Sequence, residues 1–139
     1  MNVILSIRPT FCKMILSGQK VYEYRKRIFT RSDVDKVYVY ATKPICRIVG
    51  FFTIDEVIAD TNTNIWAKTH IGGGISKEFF DAYFKNSKTA YTIKIKDARQ
   101  YPVPIDPKSV IKDFHAPQNF MYVNIDLEKL SVCVTQKCL

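Results

Sequence analysis

Long apolar runs are missing from this chain. No stretch of its 139 residues approaches the roughly 20 apolar residues that a membrane-spanning helix needs. The opening MNVILSIRP is a strand pattern cut by Pro9, not the basic segment and long apolar core of a secretory leader. Cysteine is sparse: Cys12, Cys46, Cys133 and Cys138 show no C-x-x-C pair, and His70 and His115 lie far from them, which argues against a zinc site. Cys12 and Cys46 fall at apolar positions of an expected helix and strand, where a free thiol acts as a small buried hydrophobe. No metal and no organic cofactor is implied. There is no internal repeat, low-complexity tract or linker. The expectation is a cytoplasmic protein without a membrane segment, built as a single domain over 1–139 with a core to about 124 and a tail over 125–139.

Acidic residues are also few, 13 against 21 Lys and Arg, for a net charge of +8. Residues 1–50 hold ten of the basic side chains and three of the acidic ones, so +7 of the +8 lies there. A one-sided basic field is the footprint expected of a phosphate-binding surface. Aromatic residues are plentiful, with 8 Tyr and 9 Phe, and sit beside β-branched neighbours, which favours strands.

Val3 to Ile7 reads as a strand. Pro9 opens a short helix with Phe11, Met14 and Ile15 at helical spacing, and Gly18 stops it. Lys36 to Ala41 alternates Val37 and Val39 against Tyr38 and Tyr40, and a long strand is expected from Cys46 to Ile58 with a bend at Gly50. Thr61 to His70 reads as a helix, Gly72 to Gly74 as a flexible link, and Ser76 as the cap of another helix carrying Phe79, Phe80 and Tyr83. The three glycines are not a phosphate loop, since no Lys-Ser/Thr follows them. Ala90 to Ala98 alternates, with Tyr91, Ile93 and Ile95 inward and Thr92, Lys94 and Lys96 outward. Pro102, Pro104 and Pro107 mark a loop, and Phe114 to Val123 returns to a strand pattern. The fold class is α+β: a small β-barrel of about six strands with two to three peripheral helices.

The segment Gly18 to Arg27 concentrates chemistry. As a strand, its period of two puts Glu23 and Arg25 on one face and Tyr22, Tyr24 and Lys26 on the other, while Lys20 can turn toward either. A carboxylate, a guanidinium and an amine thereby converge on one small ligand. The competing interpretation is a surface ion pair on an edge strand.

Several stretches resemble the ASCH domain family, a PUA-like group: ILSIRP with its helix, G-x-K-x-x-E-x-R at Gly18, Lys20, Glu23 and Arg25, VGFFTIDEV at Val49 to Val57, the helix at Gly74 to Phe84, and PQ-x-F-x-Y at Pro117 to Tyr122. The resemblance covers the chain to about Val123. It implies a curled PUA-like barrel with a cleft beside the first helix, and RNA or a nucleotide-like ligand as the partner. The RNA or ligand-binding candidates are Arg8, Lys20, Glu23, Arg25, Lys26, Gln118 and Tyr122, and the catalytic candidates are Lys20 and Glu23. Tyr22, Tyr24, Tyr38, Tyr40, Phe120 and Tyr122 are candidates for stacking on a base, although core packing is the commoner role of such rings.

The first expectation is therefore an RNA- or nucleotide-binding domain. The alternative is a hydrolase using the same cleft, acting on a modified pyrimidine nucleoside or on RNA; Lys20, Glu23, Arg25 and His115 include an acid, a base and a phosphate clamp. A third class, a protein-interaction module, would use exposed aromatic or C-terminal surface. Small bacterial members that hydrolyse N4-acetylcytidine use a lysine, a threonine three residues later and a distant glutamate. Here the lysine is Lys20, Glu23 replaces the threonine, and the glutamate position falls in the glycine run, so the hydroxyl nucleophile is lost. Glu23, beside two cations, is expected to be a weak base.

Overall fold

The computed structural model describes residues 1–129, so Cys133 and Cys138 and most of the tail lie outside the described residues. Elements follow in the order β1 (Asn2–Ile7), α1 (Pro9–Leu16), β2 (Tyr22–Arg25), β3 (Lys36–Ala41), β4 (Arg47–Asp60), α2 (Asn62–Thr69), α3 (Lys77–Tyr83), β5 (Ala90–Ile105) and β6 (Phe120–Val123). Short 3-10 turns cover His70–Gly72 and Pro107–Ser109. The six strands form one mixed sheet in the order β2-β5-β4-β3-β1-β6. This is the expected α+β PUA-like architecture, with the barrel realised as a half-barrel.

Local chemistry accounts for the helices. Pro9 occupies the first turn of α1, where no amide donor is needed, and Gly18 at φ +83° turns the chain back. Thr61 caps α2 by accepting from the Asn64 amide, and Ser76 caps α3 by accepting from the Phe79 amide. β1 and β3 pair in parallel, which requires a crossover, and residues 8–35 supply it.

Both faces of the central strands are buried. Val3, Leu5, Val37 and Val39 pack with Cys12 and Ile15 of α1 on one face, while Ile4, Tyr38, Tyr40 and Phe51 form a second cluster on the other. Tyr38 and Tyr40 are therefore core residues and not base-stacking platforms. The Tyr38 hydroxyl also fastens the end of the described chain, donating to the Ile125 carbonyl and accepting from the Leu127 amide. A third cluster, Tyr24, Ile65, Phe80, Phe84 and Ala90, joins α2 and α3 to the sheet.

Gly50 marks the expected irregularity: register shifts flank it in both pairings of β4, and a Cβ there would stand 2.2 Å from the Arg99 carbonyl oxygen. Several expectations are corrected. β5 runs through Pro102 and Pro104, because β2 pairs only with Tyr91–Lys94 and leaves the far half of β5 with β4 as its one partner strand. Proline is tolerated on such an edge. Thr92 is buried, not outward-facing. Cys46 precedes β4 in a half-buried turn at φ +52°. β6 is confined to Phe120–Val123, leaving residues 114–119 as a loop.

Candidate functional site

The half-barrel opens between its two terminal strands, β2 and β6, and a cavity of about 350 Å³ lies there, lined in part by Arg8, Lys20, Glu23, Arg25, Gln118 and Asn119. The period of two holds for β2. Glu23 and Arg25 face the cavity side, and Tyr22 and Tyr24 pack with the α2–α3 cluster, although the Tyr24 ring also reaches the cavity wall.

Lys20, free by sequence to turn toward either face, is turned inward and buried. Its backbone amide donates to the Met14 carbonyl at 3.0 Å, extending the turn that Gly18 makes after α1. That connection sends the side chain inward, where Nζ donates to the Gly73 carbonyl and lies 4.7 Å from the Tyr24 ring centroid and 5.4 Å from that of Phe11. Only 1% of its surface is exposed. Burial pushes the Lys20 pKa down, while the Glu23 carboxylate pulls it up.

Gly72 to Gly74 is the packed wall that makes this possible, not a flexible link. A Cβ on Gly73 would sit 2.1 Å from the Tyr24 hydroxyl, and one on Gly74, which has φ +70°, would meet Met14 Cε at 2.9 Å. Glycine is required for that approach. The Tyr24 hydroxyl is itself held 2.8 Å from Thr69 Oγ1. Since Thr69 donates to the Ile65 carbonyl, Tyr24 is the donor in that pair.

Arg25 is anchored. Nη1 donates to the Ser6 carbonyl and Nη2 to the Asn119 carbonyl, each at 3.1 Å, so the guanidinium links β2 to the end of β1 and to the residue preceding β6. Its contact with Glu23 Oε2 is longer, at 3.4 Å. The side chain thus spans the mouth of the half-barrel, and Glu23 takes its position from it.

Glu23 is 4% exposed. Burial raises its pKa above the usual carboxylate range, and Lys20 and then Arg25 oppose the rise without cancelling it. The expected weak base is corrected: desolvation outweighs the cations, leaving a carboxylate more basic than a free one. Cys12 shares this neighbourhood, and burial, followed by the Glu23 charge, pushes its thiol up to about 12, so it stays protonated and unreactive.

Arg8 reaches the cavity, with its guanidinium 5.5 Å from the Phe79 ring centroid, and Gln118 lines the rim. Lys26 and Tyr122 are not among the lining residues. Lys26 Nζ lies over the Tyr83 ring at 4.8 Å, and the Tyr122 hydroxyl accepts from the Thr30 and Arg31 amides, fixing that loop. His115 is exposed on the 114–119 loop and lies outside the cavity lining. Sequence reasoning missed Ser6, Phe11, Thr42, Ile75 and the site role of Phe79 and Tyr83. For the α3 residues the signal was available: Phe79 and Tyr83 are four apart and share one helix face. Among the described residues, no three His, Cys, Asp or Glu side chains gather as a metal site, and no helix is long and apolar enough to cross a membrane.

A curled mixed sheet, flanking helices and a charged opening beside α1 make up the architecture of this chain. No family model matches the chain. Over 138 residues, 98% of this chain and 93% of the relative, it is 24% identical to an ASCH domain-containing ribonuclease of Zymomonas mobilis. The crystal structure of ASCH from Zymomonas mobilis matches 96% of this chain and covers 94% of that one, with a TM-score of 0.85 at 23% identity; a single-residue variant of it gives 0.86. A local match, 32% identical over 88 residues, is to the large ribosomal subunit protein uL22 of Ureaplasma parvum, of which it covers 28%. The chain shares the fold of the Zymomonas ASCH protein over nearly its whole length.

Proposed function

We propose that this protein is a ribonuclease that binds single-stranded RNA in the cavity between β2 and β6 and cuts it with Glu23 and Lys20. The observation that carries the reading is a carboxylate made more basic by burial, beside an ammonium made more acidic by burial, on the wall of an open cavity. Those are the shifts that acid–base catalysis near neutral pH calls for. The name of the Zymomonas relative supports the same class. It favours the hydrolase alternative over a domain that only binds.

In this mechanism the Glu23 carboxylate takes the proton of a ribose 2′-hydroxyl. O2′ attacks the adjacent phosphorus, the P–O5′ bond breaks, and the Lys20 ammonium protonates the departing O5′, leaving a 2′,3′-cyclic phosphate. Arg8, exposed at the rim, offsets the charge that builds on the phosphoryl oxygens. Arg25, with donors committed to Ser6 and Asn119, is a positioning residue for Glu23.

The test is incubation of single-stranded RNA with the protein and with Glu23→Gln and Lys20→Met, with products resolved by end-group analysis. Cyclic phosphate termini that fall at least ~100-fold in either variant are expected from the loss of one acid–base group. RNA bound but uncut by the native protein overturns the reading in favour of a binding domain. Hydrolysis of an acetylated pyrimidine nucleoside with RNA left intact overturns it in favour of an amidohydrolase.

A further inference from the structure

A second cavity of about 330 Å³ adjoins the first and shares Arg8, Phe11, Ile75 and Phe79 with it. The two differ in chemistry. Lys20, Glu23 and Arg25 line the first, whereas the second adds Thr10, Met14, Gly74 and Ser76, so Arg8 is its one charged side chain. The partition between them is aromatic: the Phe79 ring meets Phe11 edge to face at 5.6 Å and 89°, with the Arg8 guanidinium above it.

We infer that the second cavity is a subsite for the nucleotide next to the cleaved phosphodiester, its base stacking on Phe79 and its linking phosphate held by Arg8. The inference rests on the ribonuclease reading for the occupant of the first cavity. Continuity fixes the second occupant. A strand whose phosphodiester lies by Glu23 has to leave past a shared wall, and this wall presents a cation over an aromatic face. Arg8 is exposed, and among the described residues it forms no ion pair with a carboxylate, so it is available to a phosphate. Away from Arg8, the second cavity has no fixed charge to read a base edge, and its lining of Phe, Met and Ile side chains suits the face of any base. Stacking of that kind is tolerant of sequence. The volume is within the range of small-ligand sites. Glycine at position 74 keeps the cavity open beside Met14, since a Cβ there would stand 2.9 Å from Met14 Cε.

The test measures binding separately from cleavage. Affinities of 2′-fluoro oligouridylates of two, three and four nucleotides, which lack the attacking hydroxyl, are measured by calorimetry for the native protein, for Thr10→Trp and for Phe79→Leu. Thr10 is exposed on the first turn of α1, so a tryptophan there fills the cavity from the solvent side. Phe79→Leu keeps an apolar side chain but removes the ring, and guards against misfolding of the first variant. Native affinity is expected to step up between about 5- and 150-fold when the chain gains the nucleotide that reaches the subsite, as one stacked base provides. Both variants are expected to flatten that step. A native protein with no length step, or variants that keep all of it, overturns the subsite. A length step without cleavage of the matching ribo-oligomers leaves the subsite standing and overturns the ribonuclease reading alone.

Discussion

Replacing Glu23 with glutamine should stabilise the protein at neutral pH while abolishing the proposed RNA cleavage, and the gain should grow with pH. Glu23 is buried against two cations, and two effects compete when its charge is removed. Breaking a buried ion pair by deleting one partner destabilises by about 3–5 kcal/mol when the survivor is left uncompensated. Against that stands the direction of the carboxyl's own shift: burial raises its pKa even with Lys20 and Arg25 beside it, so the pair does not repay the desolvation of the carboxylate. The survivors keep partners. Arg25 retains the Ser6 and Asn119 carbonyls, and Lys20 retains Gly73 and two aromatic rings and, with its pKa already lowered, sheds its proton more readily.

Because the folded pKa of Glu23 lies above the unfolded value of about 4.3, the folded state binds this proton more tightly than the unfolded state does. Its contribution to stability is fully present below the unfolded pKa and is lost as pH rises through the folded one. The slope of that loss is at most about 1.4 kcal/mol per pH unit. Lys20, with its pKa lowered, contributes in the opposite sense: its stabilisation belongs to alkaline pH and is lost as pH falls through its folded value. Glutamine resembles the protonated carboxyl and does not titrate. The assay is urea unfolding of native protein and Glu23→Gln at intervals from pH 4 to 8. The two should agree within about 0.5 kcal/mol at pH 4, and the variant should pull ahead above that. A variant less stable than native at pH 7.5, or a difference that shrinks as pH rises, would refute the reasoning and show that the ion pair outweighs desolvation.

Arg25→Ala removes two charge-assisted bonds to backbone carbonyls across the mouth of the half-barrel. At about 1.5–3 kcal/mol for each such bond, it should lower unfolding free energy by several kcal/mol, and a loss under about 1 kcal/mol in chemical denaturation would show that the strands hold their curl without it. Gly73→Ala drives a methyl against the Tyr24 hydroxyl. It should cost about 1–3 kcal/mol through overpacking, partly recovered in the Gly73→Ala/Tyr24→Phe double variant, and strictly additive melting shifts would sink that account.

The parts of the site legible in the sequence are those set by neighbours along the chain. The period of two in β2 placed Glu23 and Arg25 together, and Pro9, Gly18, Thr61 and Ser76 marked helix ends through bonds reaching only a few residues. What escaped depended on distant partners. Lys20 is buried because Gly73, 53 residues later, offers it a carbonyl, and nothing in a G-x-K spacing announces that. Pro102 and Pro104 read as loop residues because proline cannot join an interior ladder, yet whether a strand is interior there depends on where β2 stops. Tyr122 looked like a stacking ring, but its hydroxyl is committed to the loop at Thr30 and Arg31.

These failures have a common origin in the curl of the sheet. An open six-stranded sheet with β2 and β6 at its ends brings Ser6 and Asn119 together, the Ser6 amide donating to the Asn119 carbonyl at 3.1 Å, and a long planar cation donates to the carbonyls of both from across the gap. Once Arg25 takes that task, the side chain two positions before it on the same face must lie in the same gap. Water is largely excluded there, and a carboxylate acquires the raised pKa on which the proposed chemistry depends. Closure of the half-barrel and tuning of Glu23 therefore follow from a single geometric event, so Arg25→Lys, with one ammonium in place of a two-sided fork, should disturb both at once.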